Sequence, residues 1–295
     1  MRWRGGANNA LRPNADASES TAESHGGTVL RLRVGRPGVR VQDLWWRLEW
    51  HRVQAMRGIG GKVEDRGNVV LVLNPDLPAK GFNFACKVDA GETSKEQVID
   101  YVVDAFRTHG LVPHFQLWSI TRPSDFSVDL WQRGFQDDGE LHVMVWKKPT
   151  SVPAPKVRVR PAATNAEMER AVELVLRGFD FPMEWKDVLV SSLSAPEEEA
   201  IRGQTFLAEV DGKPAGVASL VTTGDGISGI YSVTSAPEFR RRGVATALSL
   251  KCIEAYQETN DEVLTLQVFQ GSEAERLYEK LGFETAYALT LHSLP

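Results

Sequence analysis

A chain of 295 residues has room for two domains, and 42% apolar with 25% charged residues is an ordinary globular composition. The formal net charge of −5 argues against general nucleic-acid affinity, and no apolar run is long enough to cross a bilayer. Cys86 and Cys252 lie in apolar surroundings in separate halves, and the histidines are scattered, so neither a disulfide framework nor a metal site is expected.

Residues 1–26 read as a disordered tail rich in Ala, Asn, Ser, Glu and Gly. Asp16, Glu19 and Glu23 argue against a transit peptide, and the absence of an apolar core argues against a secretory signal, which makes the cytoplasm the default location. Two strands are expected at Asn68–Leu73 and Phe82–Val88, with a turn at Asn74–Pro78 between them. Ser94 should cap a helix that presents Val98, Tyr101, Val102, Ala105 and Phe106 on one face and ends at Gly110. A strand at His114–Trp118 follows, then a helix from Ser124 that closes at Gly134-Phe135, then a strand at Leu141–Trp146.

Three prolines at 149, 153 and 155 break the regular structure and mark a linker over 149–155. Beyond it, Val157–Pro161 alternates as a strand, and Thr164 should cap a helix carrying Ala171, Leu174 and Val175. Asp211-Gly212 is a two-residue hairpin turn between strands at Phe206–Val210 and Ala215–Leu220. Ile227–Val233 and Val263–Val268 read as strands, and Ala245–Tyr256 reads as a helix. Ser272 with Glu275 forms a capping-box signature for a last helix that Gly282 ends. Strand, helix, strand, helix ending in Gly-Phe, strand thus occurs twice, with Leu130–Phe135 aligned on Tyr278–Phe283, as in a diverged internal repeat.

The segment Pro237–Leu248 is the most informative. A strand that feeds a helix through a Gly-containing turn leaves the first helical N–H groups free, and the helix dipole adds positive potential there. Arg240, Arg241 and Arg242 add forked cations, while Gly243 and the small Ala245 admit a close phosphate. Arg240-x-x-Gly243-x-Ala245 resembles the Arg/Gln-x-x-Gly-x-Gly/Ala signature of GCN5-related N-acetyltransferases (GNAT). Leu277-Tyr278-Glu279-Lys280-Leu281-Gly282-Phe283 is similar to a second signature of that family. The resemblance covers residues 156–295.

The resemblance implies an α/β fold of two tandem GNAT-like domains, each a mixed, mostly antiparallel sheet flanked by helices. Residues 27–148 would be a degenerate copy and 156–295 the catalytic one. The first copy carries Asp89 and Glu92 where the second carries arginines, and those carboxylates would repel a pyrophosphate. The implied activity is transfer of an acetyl group from acetyl-CoA to a primary amine of a small molecule, by direct attack in a ternary complex without a metal. No nucleic-acid or membrane partner is expected, and a homodimer is compatible with the sequence. Donor contacts are expected from Val233, Thr234 and Ser235 at the strand end and from Arg240, Arg241, Arg242, Gly243, Val244, Ala245 and Thr246. A backbone N–H near Val233 would polarise the thioester carbonyl. Tyr278 matches the family's proton donor to the thiolate. The strand at Gly229–Val233 carries no carboxylate, so Glu184, with Asp180 and Glu209 behind it, is the candidate base; a water relay would need none. A regulatory acyl-CoA-binding module without chemistry and a peptide or protein N-acetyltransferase are the alternatives.

Overall fold

In the computed structural model, residues 41–91, 94–147, 152–194 and 201–295 are described. The expected N-terminal tail, Glu92 and residues 149–151 of the linker lie outside them. Among the described residues, seven helices flank one 11-stranded sheet whose strand order is β1-β2-β3-β4-β11-β5-β10-β9-β8-β7-β6. The first half supplies α1 (Val41–Arg57), β1 (Lys62–Asp65), β2 (Val70–Leu73), β3 (Phe84–Cys86), α2 (Lys95–Thr108), β4 (His114–Leu117), α3 (Phe126–Gln132) and β5 (Gln136–Trp146). The second supplies β6 (Arg158–Pro161), α4 (Asn165–Gly178), α5 (Lys186–Ser194), β7 (Arg202–Val210), β8 (Lys213–Thr222), β9 (Ile227–Ser235), α6 (Val244–Gln257), β10 (Val263–Phe269), α7 (Glu273–Lys280) and β11 (Phe283–Ser293).

The local signals hold. The Ser94 hydroxyl accepts from Gln97 N, and Thr164 and Glu167 cap α4 reciprocally. Asp211 and Gly212 both take positive φ, as a type I′ turn between β7 and β8 requires. Some bounds shift. β5 begins at Gln136, not Leu141, and Lys80–Phe82 is a 3-10 turn, so β3 starts only at Phe84. α1 was not expected from the sequence.

The two halves meet by exchanging their last strands. β5 lies between β10 and β11, antiparallel to both, and β11 lies between β4 and β5. Each closing strand therefore has the other half as its neighbours. The order β3-α2-β4-α3-β5 repeats as β9-α6-β10-α7-β11, with β3/β4 and β9/β10 each parallel. α3 and α7 both end on a left-handed glycine, Gly134 (φ 88°) and Gly282 (φ 90°).

α1 and α4 cover one sheet face, and α2, α3, α6 and α7 cover the other. On α1, Glu49 and Arg52 form a buried ion pair at 2.7 Å. The Tyr287 hydroxyl of β11 donates to Glu49 at 2.7 Å, and Arg52 donates to Gln116 of β4 at 2.5 Å and lies 4.3 Å over the Phe84 ring. Every charge in this cluster is partnered, the condition under which burying it is tolerable. Trp118 packs on Tyr287 (centroids 5.4 Å), and Trp146 donates to Leu281 O at 3.0 Å, so both face the second half. Trp131 is 75% exposed.

Candidate active site

β9 and β10 pair in parallel only from Val263↔Ile227 to Leu266↔Ile230. β9 then stays with β8 as far as Ser235, and β10 stays with β5 as far as Phe269, so the two strands part and leave a notch. The β8–β9 register slips between Val217↔Thr234 and Ser219↔Tyr231, placing Ser232 and Val233 opposite the single residue Ala218. This is a β-bulge, and Ser232 takes φ 55° within it. A bulge takes backbone polar groups out of the ladder and re-aims them. The bulge includes Val233, whose N–H is the one expected to face the thioester.

β9 ends in a 3-10 turn at Pro237–Phe239, and α6 starts at Val244 after Gly243 at φ 80°. Arg241 is also left-handed, at φ 60°. Left-handed residues just before a helix turn successive N–H groups toward one point, an anion-binding concavity. Arg240, Arg241 and Arg242 are exposed, Gly243, Ala245 and Thr246 are half-buried, and Val244 is buried. Arg242 pairs with Asp211 of the β7–β8 turn at 3.0 Å and lies over Phe239 at 5.7 Å. A side chain on Gly243 would come within 2.7 Å of Pro155, so the end of the linker touches the cradle.

Thr234 is buried beneath the end of α4, where a Cβ on Gly178 would overlap it. Val233 and Ser235 are half-buried. These strand-end residues and the cradle are therefore contiguous along the chain and in space.

Tyr278 is 6% exposed on α7, with its ring 5.9 Å from Phe283. Burial, helped by the neighbouring Cys252, pushes its phenol well above the ordinary value. Both cysteines are buried and free, and burial pushes each thiol up to about 12.

The carboxylates fare differently. Glu209 is held by Arg160 at 3.0 Å and Arg158 at 3.5 Å at the β6–β7 edge, a structural ion pair. Glu184 and Asp180 are exposed, and the intervening Phe181 and the adjacent Trp185 pack on Phe82 (5.6 and 6.4 Å) rather than lining an open pocket. What sequence reasoning missed is α1, which lies against β9 and brings buried polar side chains to the notch. Its apolar residues fall on several sides of the helix, so no single apolar stripe marks it in the sequence.

Residues 172–283 match the acetyltransferase (GNAT) family model, and over that segment the chain is similar to the family. It is thus an enzyme of the acetyltransferase class, and the co-substrate of that family is acetyl-CoA. A GCN5-related N-acetyltransferase from Kribbella flavida superposes with TM-score 0.62 at 17% identity, covering 83% of this chain and 95% of that one. One from Sphaerobacter thermophilus gives TM-score 0.56 at 21% identity, covering 78% and 81%. A tandem GNAT protein from the clavulanic acid biosynthesis pathway gives 0.52 at 13%, covering 76% and 77%. At these identities the likeness is one of fold. No curated protein matches the chain in sequence. Among the described residues, no helix is long and apolar enough to cross a membrane.

Proposed function

We propose that this protein transfers the acetyl group of acetyl-CoA to the primary amine of a small molecule by direct attack in a ternary complex. The observation that carries the reading is the continuous path from the parted β9–β10 edge, past the bulge at Ser232-Val233, to the Arg- and Gly-lined start of α6. A pyrophosphate at the helix start and a thioester in the notch fit that path. Arg242 would exchange Asp211 for phosphate, at little cost because the pair is exposed and worth about 0–1 kcal/mol. The Val233 N–H would stabilise the oxyanion, and Tyr278, kept protonated by burial, would protonate the departing thiolate. A small acceptor is favoured because α1 packs on β9 beside the notch, covering that side of the sheet.

The test is a panel of small amines and peptides with acetyl-CoA, reading thiol release. Amine-dependent release with small amines supports the proposal. Release with peptides alone would move the acceptor class to proteins. Acetyl-CoA binding without release for any amine would leave a binding module.

A further inference from the structure

His51 of α1 is fully buried, and its ring stacks on Tyr231 of β9 with centroids 6.1 Å apart and planes at 27°. It reaches this place because residue 229 is glycine: a Cβ there would lie 2.5 Å from His51 Nε2. Nδ1 lies 2.7 Å from Thr223 Oγ1, and that hydroxyl donates to Asp225 Oδ1 at 2.8 Å. A threonine hydroxyl has one proton, and here the carboxylate receives it. The oxygen must therefore accept from His51, which places the imidazole proton on Nδ1 and leaves Nε2 as a bare lone pair. Asp225 is itself fixed: its carboxylate accepts from Ile227 N at 3.2 Å, and its carbonyl accepts from Arg47 at 2.8 Å.

Nε2 is buried and has no hydrogen-bond partner, and the buried Tyr231 hydroxyl and Gln267 side chain beside it interact with each other. Tyr231 and Gln267 are the residues at which β9 and β10 first part. Buried polar groups are nearly always paired, so an unpartnered Nε2 next to this polar pair at the root of the notch points to a polar ligand there.

We propose that His51, carried by the first half of the chain, is the proton acceptor for the amine in the acetyl transfer, aligned by Thr223 and Asp225. The amine nitrogen bonds to the thioester carbon as the C–S bond breaks. One amine proton passes to Nε2, and Tyr278 gives its proton to the thiolate. The imidazolium proton returns to the Tyr278 phenolate through solvent as products leave. Tyr231 and Gln267 are donors and suit an oxygen of the acceptor. Of the charged groups near the ring, Asp225 faces it through Thr223, while Glu49 and Arg52 on the same helix neutralise each other. Burial holds the imidazole down at about 4, partly opposed by Asp225, so it stands neutral at ordinary pH with its Nε2 lone pair unprotonated.

This inference rests on the proposed acetyl transfer. In the full-length protein, His51→Ala should lower amine-dependent turnover at least ~10²-fold with the acetyl-CoA Kd within about twofold, and added imidazole should restore part of the rate. Thr223→Val keeps the shape but frees the tautomer, and should lower kcat about tenfold with the acetyl-CoA KM unchanged. Wild-type turnover in folded His51→Ala overturns the inference, as does full activity in Thr223→Val with no imidazole rescue. Should His51→Ala fail to fold, kcat of His51→Gln and Thr223→Val decides. Absence of amine-dependent thiol release from the wild type overturns the acetyl transfer as well.

Discussion

At the scale of single residues, burial does the chemical tuning. Tyr278 sits among Leu266, Leu281 and Phe283 in the core of the second half, where only the neutral phenol is well tolerated. It should therefore remain an acid across the neutral and mildly alkaline range. Tyr278→Phe removes the proton and keeps the ring packing, so kcat should fall ~10² to 10⁴-fold with little change in acetyl-CoA affinity. Steady-state kinetics with calorimetry checks this, and unchanged kcat with chemistry rate-limiting would remove Tyr278 from the mechanism. His51 and His114 give a second prediction. Burial lowers both to about 4, against 6.5 in an unfolded chain, and Asp225 and Asp138 only partly oppose this. As pH falls from 6.5 toward 4, the unfolded chain takes up about two protons that the folded one refuses, so stability should decline in that window. Glu167 acts lower down. Backbone N–H bonds from Ala163, with Arg160, hold it at about 2, so its contribution is present above about 4.5 and lost as pH falls through 2. Urea titrations between pH 7 and 4 should show the histidine part, reduced when His114 is replaced by Gln.

At the scale of elements, the joint from β9 to α6 joins backbone conformation to ligand affinity. Gly243 needs its left-handed φ and its missing side chain, since Pro155 fills the space a Cβ would take. Arg242→Glu with Gly243→Asp should abolish acetyl-CoA binding and also lower the thermal midpoint, because an Asp at 243 is strained at φ 80° and meets Pro155. Calorimetry should show one site in the wild type and none in the variant. A surviving site would place the donor elsewhere. The joint was readable from sequence because its parts are neighbours along the chain: a strand end, a turn glycine and a helix start. α1 was not. Glu49, His51 and Arg52 carry the side chains of an exposed helix face, yet all are buried, each with a partner from β4, β11 or the β8–β9 turn, while His51 Nε2 stays open.

At the scale of the whole molecule, the exchanged strands tie the halves together. In residues 156–295 alone, β11 would lose both neighbours, β4 and β5, and β10 would lose β5. Two unpaired edges in the middle of a sheet favour aggregation. The isolated second half should therefore be insoluble or loosely folded, and coexpression with residues 41–147 should rescue it. The full-length protein should unfold in a single calorimetric transition, because neither half completes a sheet alone. A soluble, cooperatively folding 156–295 fragment, or two resolved transitions, would show that the exchange is dispensable.

By itself the sequence determined the local devices: the caps at Ser94, Thr164 and Ser272, the Asp211-Gly212 hairpin, the arginine-glycine cradle and the doubled Gly-Phe helix endings. Each rests on residues within one or two turns of one another, so short-range sterics and hydrogen bonding suffice to specify it. Only the tertiary structure decided that the halves trade their closing strands, and that a helix of the first half sets a histidine at the root of the second half's notch. Those outcomes depend on pairings such as Thr223 with His51 and Tyr287 with Glu49, 172 and 238 residues apart. No local preference encodes such contacts; they form because the continuous sheet brings their partners to the same face.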